Sequence, residues 1–528
     1  MFGDALFNSA TFEGEASFRG AVFDGRADFE LARFCGRADF QRASFHSGSD
    51  FTEATFLDFA RFHHAHFHMP ARFWRARFQG DVGFQGASFR KEAWFQSVTF
   101  GRNAGFRRAA FHEKATFGSS VFHAGADFDK AAFRDQVSFR GGIFQGRIAS
   151  LNAATMHKDA DFKQAEFAGV VVLGPFVCGG VVDFTEAVFG GAASLSFAAR
   201  DIDCRRTHWA SKAELHLRFA SLDLSHALIE RPFVLSAETQ PFVDDDGQPL
   251  AEDLLNGSHA VSLRSLRGVD AAHLLLSDID LSRCLLLGTV HLDSIRLEGR
   301  CSFAGVPSRQ WSRWPPRYTP RATLAEEHQW RDRRHGWTAT ASSTGQAGPA
   351  QLAPVYRALR KALEDDKDEP GAADFYYGEM EMRRKDRTGT TRAERGLLNA
   401  YWLLSGYGLR ASRALAWLAA SMLITISLMM AFGLPQGPVK QEVTGTVLRD
   451  GGRVTFQITK PRPHNPTGDR FSGKRFDKAV GVTLNSVVFR SSGQDLTTTG
   501  TYIEMASRLT EPVLLGLAAL AIRNRIKR

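Results

Sequence analysis

Tyrosine is scarce in this chain, seven among 528 residues, and cysteine scarcer still, at five. The thiols Cys35, Cys178, Cys204, Cys284 and Cys301 are odd in number and widely spaced, with no CxxC pair, which excludes a disulfide framework and a structural zinc site and fits a reducing compartment. The start, MFGDALFNSATF, lacks a basic segment followed by an apolar one, so no cleaved signal peptide is expected. Neither sign of charge dominates: 66 Lys plus Arg face 57 Asp plus Glu, and a net +9 spread over 528 residues is too dilute to call for nucleic acid as a partner. With 44% hydrophobic residues the chain is not disordered wholesale. No GxSxG, HExxH, P-loop or GxGxxG motif stands in a supporting context, so no catalytic residue, cofactor or metal is expected, and no enzyme.

What is abundant is phenylalanine, 44 residues of it. From Phe7 to Phe144 it recurs in steps that alternate between five and six, 26 rings without a miss, in units such as residues 27 to 37, ADFELARFCGR. Alanine stands two positions before the ring in 20 of the 26 cases. A helix cannot use this pattern, because an 11-residue helical stripe needs apolar residues at i, i+4 and i+7 as well as at i+11. A β-solenoid can: Phe and the preceding Ala point inward, and Asp28, Arg33 and Asp39 point outward. The expected core ladder includes Phe18, Phe23, Phe29, Phe34, Phe40 and Phe45, then Phe84, Phe89, Phe95 and Phe100. Gly14, Gly25, Gly36, Gly80 and Gly146 fall two residues after a Phe in the six-residue step, where a corner with positive φ or a bulge is expected to absorb the extra residue. With four sides a coil takes two units, about six coils and roughly 30 Å for residues 7 to 144. A weaker register continues through Leu151, Met156, Phe162, Phe167, Leu173, Cys178, Phe184, Phe189 and Leu195, then Phe219, Leu224 and Ile229, and resumes from Leu281 to Phe303.

Runs of the form AxFxxAxFxGxADF resemble the phenylalanine-centred pentapeptide-repeat family, which implies a right-handed quadrilateral β-helix over about half the chain. The regular sixth residue departs from that family's 20-residue coil. Members that resemble DNA need a strongly acidic surface, whereas residues 1 to 144 hold 18 Lys plus Arg and 16 Asp plus Glu, so mimicry of DNA is not expected. The histidines His63, His64, His66 and His68 lie at corners and on an outward position without converging, and read as solvated surface rather than a metal site.

After Phe303 a Trp- and Pro-rich stretch with Trp311, Trp314, Trp330 and Trp337 is expected to cap the solenoid end. Residues 354 to 388 read as a helical hairpin that starts at Pro354, with Tyr356, Leu359 and Leu363 as the first stripe, a break at Glu369-Pro370-Gly371, and Phe375, Tyr376, Met380 and Arg384 on the second helix. Glu379 and Glu381 do not share a face, and Glu379 is expected to pair with Arg383. The wording YRALRK…DFYYGEMEMRR resembles the segment that joins pentapeptide repeats to a membrane part in bacterial repeat-bearing ion-channel-like proteins.

Ala414 to Leu434 carries no charge over 21 residues and is about 32 Å long as a helix, enough for a bilayer core. Leu397 to Tyr407, flanked by Arg395, Arg410 and Arg413, reads as an interfacial helix. Ala479 to Phe489 and Pro512 to Ile522 are each half the length of a span. If the last helix begins near Thr501, Glu504, Arg508 and Glu511 form one stripe that must face a pore, a second subunit or water; the alternative is a short helix from Pro512 with the charges outside. The order of segments resembles a two-transmembrane potassium-channel pore, although Arg490 to Gly500 (RSSGQDLTTTG) departs from that family's TVGYG-type filter.

The expected organisation is a mainly β N-terminal region followed by helices: solenoid at 1–235, insertion loop at 236–260, solenoid again at 261–303, cap and linker at 304–350, helical hairpin at 351–388, interfacial helix and first span at 395–434, polar loop at 440–478, and a pore-helix-like segment with a second membrane helix at 479–528. The expected function is a membrane-anchored interaction scaffold, with an oligomeric ion-channel-like protein regulated by the solenoid as the alternative. The expected partners are the lipid bilayer, an unidentified protein on the solenoid and, for the channel reading, further copies of the chain in a homo-oligomer. Two spans in the inner cell membrane place both termini in the cytoplasm.

Overall fold

The computed structural model describes residues 3–146, 149–255, 260–307, 320–332, 337, 347–435, 442–445, 456–459, 468–488 and 493–526. The chain divides into two compact units, Met1–Glu379 and Met380–Arg528.

The first unit is a parallel β-solenoid of about 13 turns. Two-residue strands recur on four faces: Ala5, Ala27 and Ser49 begin strands of one, Thr11, Arg33 and Thr55 of the second, Ala16, Ala38 and Ala60 of the third, and Val22, Ser44 and His66 of the fourth. Residues stacked on each other are 22 apart in sequence, as in the contacts of Asp4 with Arg26 and Asp81 with Asn103. The rings therefore form four columns. Phe73, Phe95 and Phe117 stack at centroid spacings of 4.8 and 4.9 Å, within 5° of parallel, and Phe95 meets Phe84 and Phe106 of a second column edge-on at 5.4 Å. Stacking along the axis is imposed by the coil spacing, and the edge-to-face contacts between columns suit the ring quadrupoles. Alanine two positions earlier leaves room for the rings between faces, so the interior is filled without a channel.

Coil length changes along the stack. The residue inserted after Phe144 puts Ala149 opposite Ala126, a 23-residue coil, and beyond Val188 the spacing shortens so that Val188, His208 and Leu228 stack 20 apart. The 20-residue coil and the longer one thus coexist in one solenoid. Trp209 takes the column place after Phe189, stacked at 4.0 Å, where the coil loses two residues and a larger ring fills the gap. The insertion folds back on the solenoid side: Arg218 holds Glu252 through two 2.9 Å bonds, Lys130 contacts Asp244 and Asp246, and Leu255 packs on Val177 and Ala198.

Three expectations about the coil are corrected. Positive φ falls in the five-residue step, two positions after the ring, at Ser9, Gly20, Leu31, Arg42 and Glu53, and not at the glycines of the six-residue step. Apart from Gly14, where a Cβ would meet nothing, those glycines answer to close approach instead: a Cβ on Gly36 would lie 2.8 Å from the Gly14 carbonyl, and one on Gly80 2.6 Å from Asp58. Asp28 and Asp39 are buried, because their carboxylates accept from the amides of Glu30 and Gln41 and lie beside Arg26 and Arg37. Phe219 is a corner residue at φ 59°, packed against the insertion, while Leu215 and Leu217 point inward in its stretch.

The end of the solenoid is closed by Ala325–Arg331 (α1). Glu326 Oε1 accepts the amides of Leu286 and Leu287 at 2.5 and 2.8 Å, which satisfies donors of the last full coil. Beside it Glu327 is buried between Arg321 at 2.7 Å and Arg331 at 2.7 Å and also accepts from the Tyr356 hydroxyl. Trp337 packs against His328 and Arg331; Trp311 and Trp314 lie outside the described residues.

Two helices follow, Pro349–Asp365 (α2) and Glu369–Lys385 (α3). The first begins five residues before Pro354, and Glu369, Pro370 and Gly371 form the first turn of the second; the break is the turn at Lys367, φ 63°. Tyr356, Leu359, Leu363 and Phe375 are buried, with Tyr377 rather than Tyr376 completing the stripe. Gly378 is required there, since a Cβ would meet the Tyr356 ring at 2.3 Å. Glu379 pairs with Arg357 and Arg360 across the hairpin, not with Arg383.

The second unit holds Arg392–Ser405 (α4), Ala411–Leu428 (α5) extended by a π-turn Met429–Gly433, Gly473–Val487 (α6) and Thr498–Ile526 (α7). Thr391 caps α4 through the amide of Glu394, and Gly406 ends it at φ 56°. Arg383 pairs with Glu394 at 2.6 Å. Most of the 440–478 loop lies outside the described residues.

Candidate functional site

The stretch Ala411–Gly433 has 23 residues and a mean hydropathy of 2.0, and Thr498–Arg523 has 26 residues and 1.4; both are long and apolar enough to cross a membrane. The second corrects the half-length reading, since Pro512 lies inside one continuous helix of 29 residues. Its Pro ring costs one intrahelical bond, which a helix packed on a neighbour tolerates.

This continuity places the three charges of α7. Glu504, Ser507, Glu511, Leu514, Ala518 and Ala521 are buried on one face of α7, and Ala414, Leu418 and Thr425 on α5. The Thr425 hydroxyl donates to Glu511 Oε1 at 2.9 Å. Arg508 reaches back to Glu504 at 2.8 Å. Glu504 and Glu511 therefore share the packed face, while Arg508 sits at its edge. The signal for Thr425 in the sequence is one of three hydroxyls inside LAWLAASMLITISLMMAFGL, with Ser421 and Ser427, any of which can donate across a helix interface.

At the far end of α5 the π-turn leaves carbonyls without intrahelical partners. Arg475 of α6 takes three of them, Met430, Leu434 and Pro435, at 2.9, 2.8 and 3.1 Å. Thr497 donates through its hydroxyl to the Phe432 carbonyl at 2.7 Å and through its amide to the Gly433 carbonyl at 3.0 Å, and the same hydroxyl accepts the Gly500 amide that opens α7. Gly433 and Gly500 touch so closely that a Cβ on Gly500 would lie 2.4 Å from the Gly433 oxygen. Met429, Met430 and Leu434 pack on Ala479 and Val482 of α6, so the ends of α5, α6 and α7 form one knot. Residues 490 to 492 lie outside the described residues, and Thr498 to Gly500 already form the first turn of α7 rather than an extended carbonyl ladder. Nothing in the sequence marked Arg475 or Thr497, whose roles depend on the tertiary approach of carbonyls.

On the solenoid, Phe29, Phe34, Phe40, Phe45, Phe84, Phe89, Phe95 and Phe100 are fully enclosed, whereas Phe18 and Phe23, in the first coil, are half-buried and stack only on Phe40 and Phe45. His68 stacks on His46 at 4.6 Å, His64 occupies a corner at φ 56°, and His66 is exposed. Burial and the neighbouring His64 hold His63 below the ordinary imidazole value. Among the described residues no group of three His, Cys, Asp or Glu side chains is placed to hold a metal ion.

Residues 7–131 match, in overlapping segments, the family model for pentapeptide repeats, with nine copies. The N-terminal coils are thus pentapeptide repeats, a match that covers the phenylalanine-rich part of the solenoid. No curated protein and no solved structure matches the chain.

Proposed function

We propose that this chain is a non-enzymatic membrane protein whose β-solenoid is an interaction scaffold anchored by α5 and α7. The observation that carries this reading is the asymmetry of those two helices. They bury mostly small and polar side chains, with Leu418 and Leu514 among them, and leave large apolar ones outward, Leu423 exposed to 64% and Leu509 to 71%. A continuous apolar face of that kind is unfavourable in water by about 25 cal/mol per Å² and is at home in lipid. Since the solenoid core is filled by rings, its binding capacity resides on the outward ladders, which are rigid and evenly spaced. Two spans put both termini on one side, taken here as the cytoplasm of a cell with an inner membrane. Alkaline carbonate washing of membranes that contain the full chain should leave it in the pellet, and release into the supernatant would overturn the anchor. A cysteine placed at Gly452 should be labelled by an impermeant reagent on intact cells, while labelling of an N-terminal tag instead would reverse the topology. Photo-crosslinkers on the solenoid faces should give a discrete adduct if the scaffold reading holds.

The second reading, an oligomeric two-transmembrane channel-like protein regulated by the solenoid, draws support from α6. It has 15 residues. That is about 22 Å of helix, short of a bilayer core, and it packs on the ends of both membrane-length helices as a re-entrant segment does. Native mass spectrometry in detergent and ion flux into proteoliposomes discriminate: several subunits with flux favour the channel, a monomer without flux the anchor.

A further inference from the structure

One face of the solenoid is not smooth. The second strand positions on that face read Asp28, Asp50, Arg72, Trp94 and then Thr116 and Ser138 before returning to Asp161 and Asp183. In the neighbouring corner Gln96 is followed by Gly118, and Ser119 by Gly141. Where these small residues follow one another the wall drops away and leaves an open trough of about 890 Å³. It runs from the coil of Trp74 to that of Asp183, six coils separated by five spacings, about 24 Å at ~4.8 Å per spacing.

Four features define what such a trough can hold. Its charges cancel: Lys114, Arg140 and Lys163 face Asp159, Asp161 and Asp183, and Lys163 is already paired with Asp183 at 2.9 Å. A polyanion therefore gains no net attraction. The main chain offers no edge, because the amides there are used between coils, as in Ser97 to the Gly118 carbonyl and Ser119 to that of Arg140, so an extended peptide cannot add as a strand. Hydroxyls and amides line it, so an apolar ligand would strip water from them without replacement. Finally, Thr116 lies on the floor at 7% exposure, and Trp74 keeps 43% of its surface exposed at the end of the trough, with the Arg75 guanidinium 4.4 Å over its ring. The side-chain amides of Gln96 and Gln136 beside a part-exposed indole call for a ligand with both hydrogen-bonding groups and a C–H face.

We propose that the trough binds a neutral oligosaccharide laid along the solenoid axis, with Trp74 against a sugar ring, Gln96 and Gln136 bonding its hydroxyls, and Thr116 forming the floor. A sugar unit is close in length to one coil, so successive rings meet equivalent positions of successive coils. The proposal rests on the scaffold reading only in taking the outward surface as the binding surface, and it is independent of membrane anchoring.

The test is calorimetric titration of the full chain, in a detergent without a sugar headgroup, with cellohexaose, maltohexaose and chitohexaose. Saturable binding of at least one is expected. Thr116→Trp fills the trough with the side chain that Trp94 already carries one coil earlier on the same ladder, so the coil accepts it, and it should weaken binding by roughly tenfold or more, as should Trp74→Ala. Absence of saturation with all three sugars, or unchanged affinity in Thr116→Trp, would overturn the proposal. A protein adduct from a photo-crosslinker at Trp74, with no sugar bound, would overturn this ligand class and leave the scaffold reading standing; loss of every solenoid adduct would count against the scaffold reading itself.

Discussion

Thr425 and Glu511 are joined by a 2.9 Å hydrogen bond across the packed faces of α5 and α7, and this bond satisfies one oxygen of a carboxyl group on a helix long enough to cross a membrane. Thr425→Val removes the donor and keeps the shape, which leaves a buried acceptor unmet at a cost of about 1–3 kcal/mol. Glu511→Gln retains an acceptor oxygen for the Thr425 hydroxyl and removes an ionisable group, so it should lose less than Thr425→Val. Thermal unfolding in detergent, read by helical circular dichroism, should place the Thr425→Val variant clearly below both the parent and Glu511→Gln. Equal midpoints for all three would show that the bond contributes nothing.

Phe95 stands at the centre of its column, between Phe73 and Phe117 and edge-on to two further rings. Neighbouring coils are tied by backbone bonds on four faces and cannot close over the space a ring leaves. Phe95→Ala is therefore expected to cost about 3–5 kcal/mol, the upper range for a large-to-small core change. Phe18→Ala, in the half-buried first coil, should cost well under half of that. Urea unfolding of both variants checks the ratio, and equal losses would contradict the ladder.

The solenoid was legible because one residue type repeats at one spacing, and a ladder has the same period in sequence and in space. Positive φ was misplaced for a physical reason: glycine marks both left-handed corners and close contacts, and here Gly36 and Gly80 answer to the latter while Leu31 and Glu53 adopt the former. The cap was sought in tryptophans because an open end exposes rings, yet its described part turns on Glu326 and Glu327, whose partners are backbone amides and arginines that only tertiary structure brings near. On α7 the spacing of Glu504, Arg508 and Glu511 was correct for a helix, but spacing does not say which face a neighbour covers. The trough was invisible because it is a run of small residues 22 apart, unremarkable in any single repeat.

The cysteines should differ sharply in reactivity. Burial raises Cys178 to about 12 and pushes Cys204 and Cys284 well above the ordinary thiol value, so none of the three carries thiolate near neutral pH. Cys301 is raised by burial too, though less enclosed, and Cys35 is partly exposed. Native protein treated with iodoacetamide at pH 8 should be alkylated first at Cys35, with Cys178, Cys204 and Cys284 protected until urea is added. Peptide mapping by mass spectrometry reads this directly, and early modification of Cys204 would mean that the coil around it opens far more readily than its packing implies.

The cap should respond to acid through Glu327. Burial alone would raise this carboxyl, but Arg321 and Arg331 override it and hold it below the ordinary glutamate value. A group depressed in the folded state contributes stability that is complete above its unfolded pKa, about 4.3, and is lost as the pH falls through its folded pKa. The neighbouring Glu326 has the opposite sign: burial raises it, so its contribution is complete below the unfolded value and is lost as the pH rises through the folded one. Acidification from pH 7 toward pH 3 should thus expose the cap amides of residues 321–331 to hydrogen exchange, with the loss below about pH 4 set by Glu327 and partly offset by Glu326. Glu327→Gln strands two buried arginines, should cost about 3–5 kcal/mol at pH 7 and should flatten the acid response. Glu326→Gln keeps an acceptor for the amides of Leu286 and Leu287 and removes a buried charge, so the cap should be at least as protected at pH 7 as in the parent. Weaker protection in Glu326→Gln, or an acid response unchanged in Glu327→Gln, would show that the cap is held by apolar packing around Trp337 and Tyr356 rather than by these two carboxyl groups.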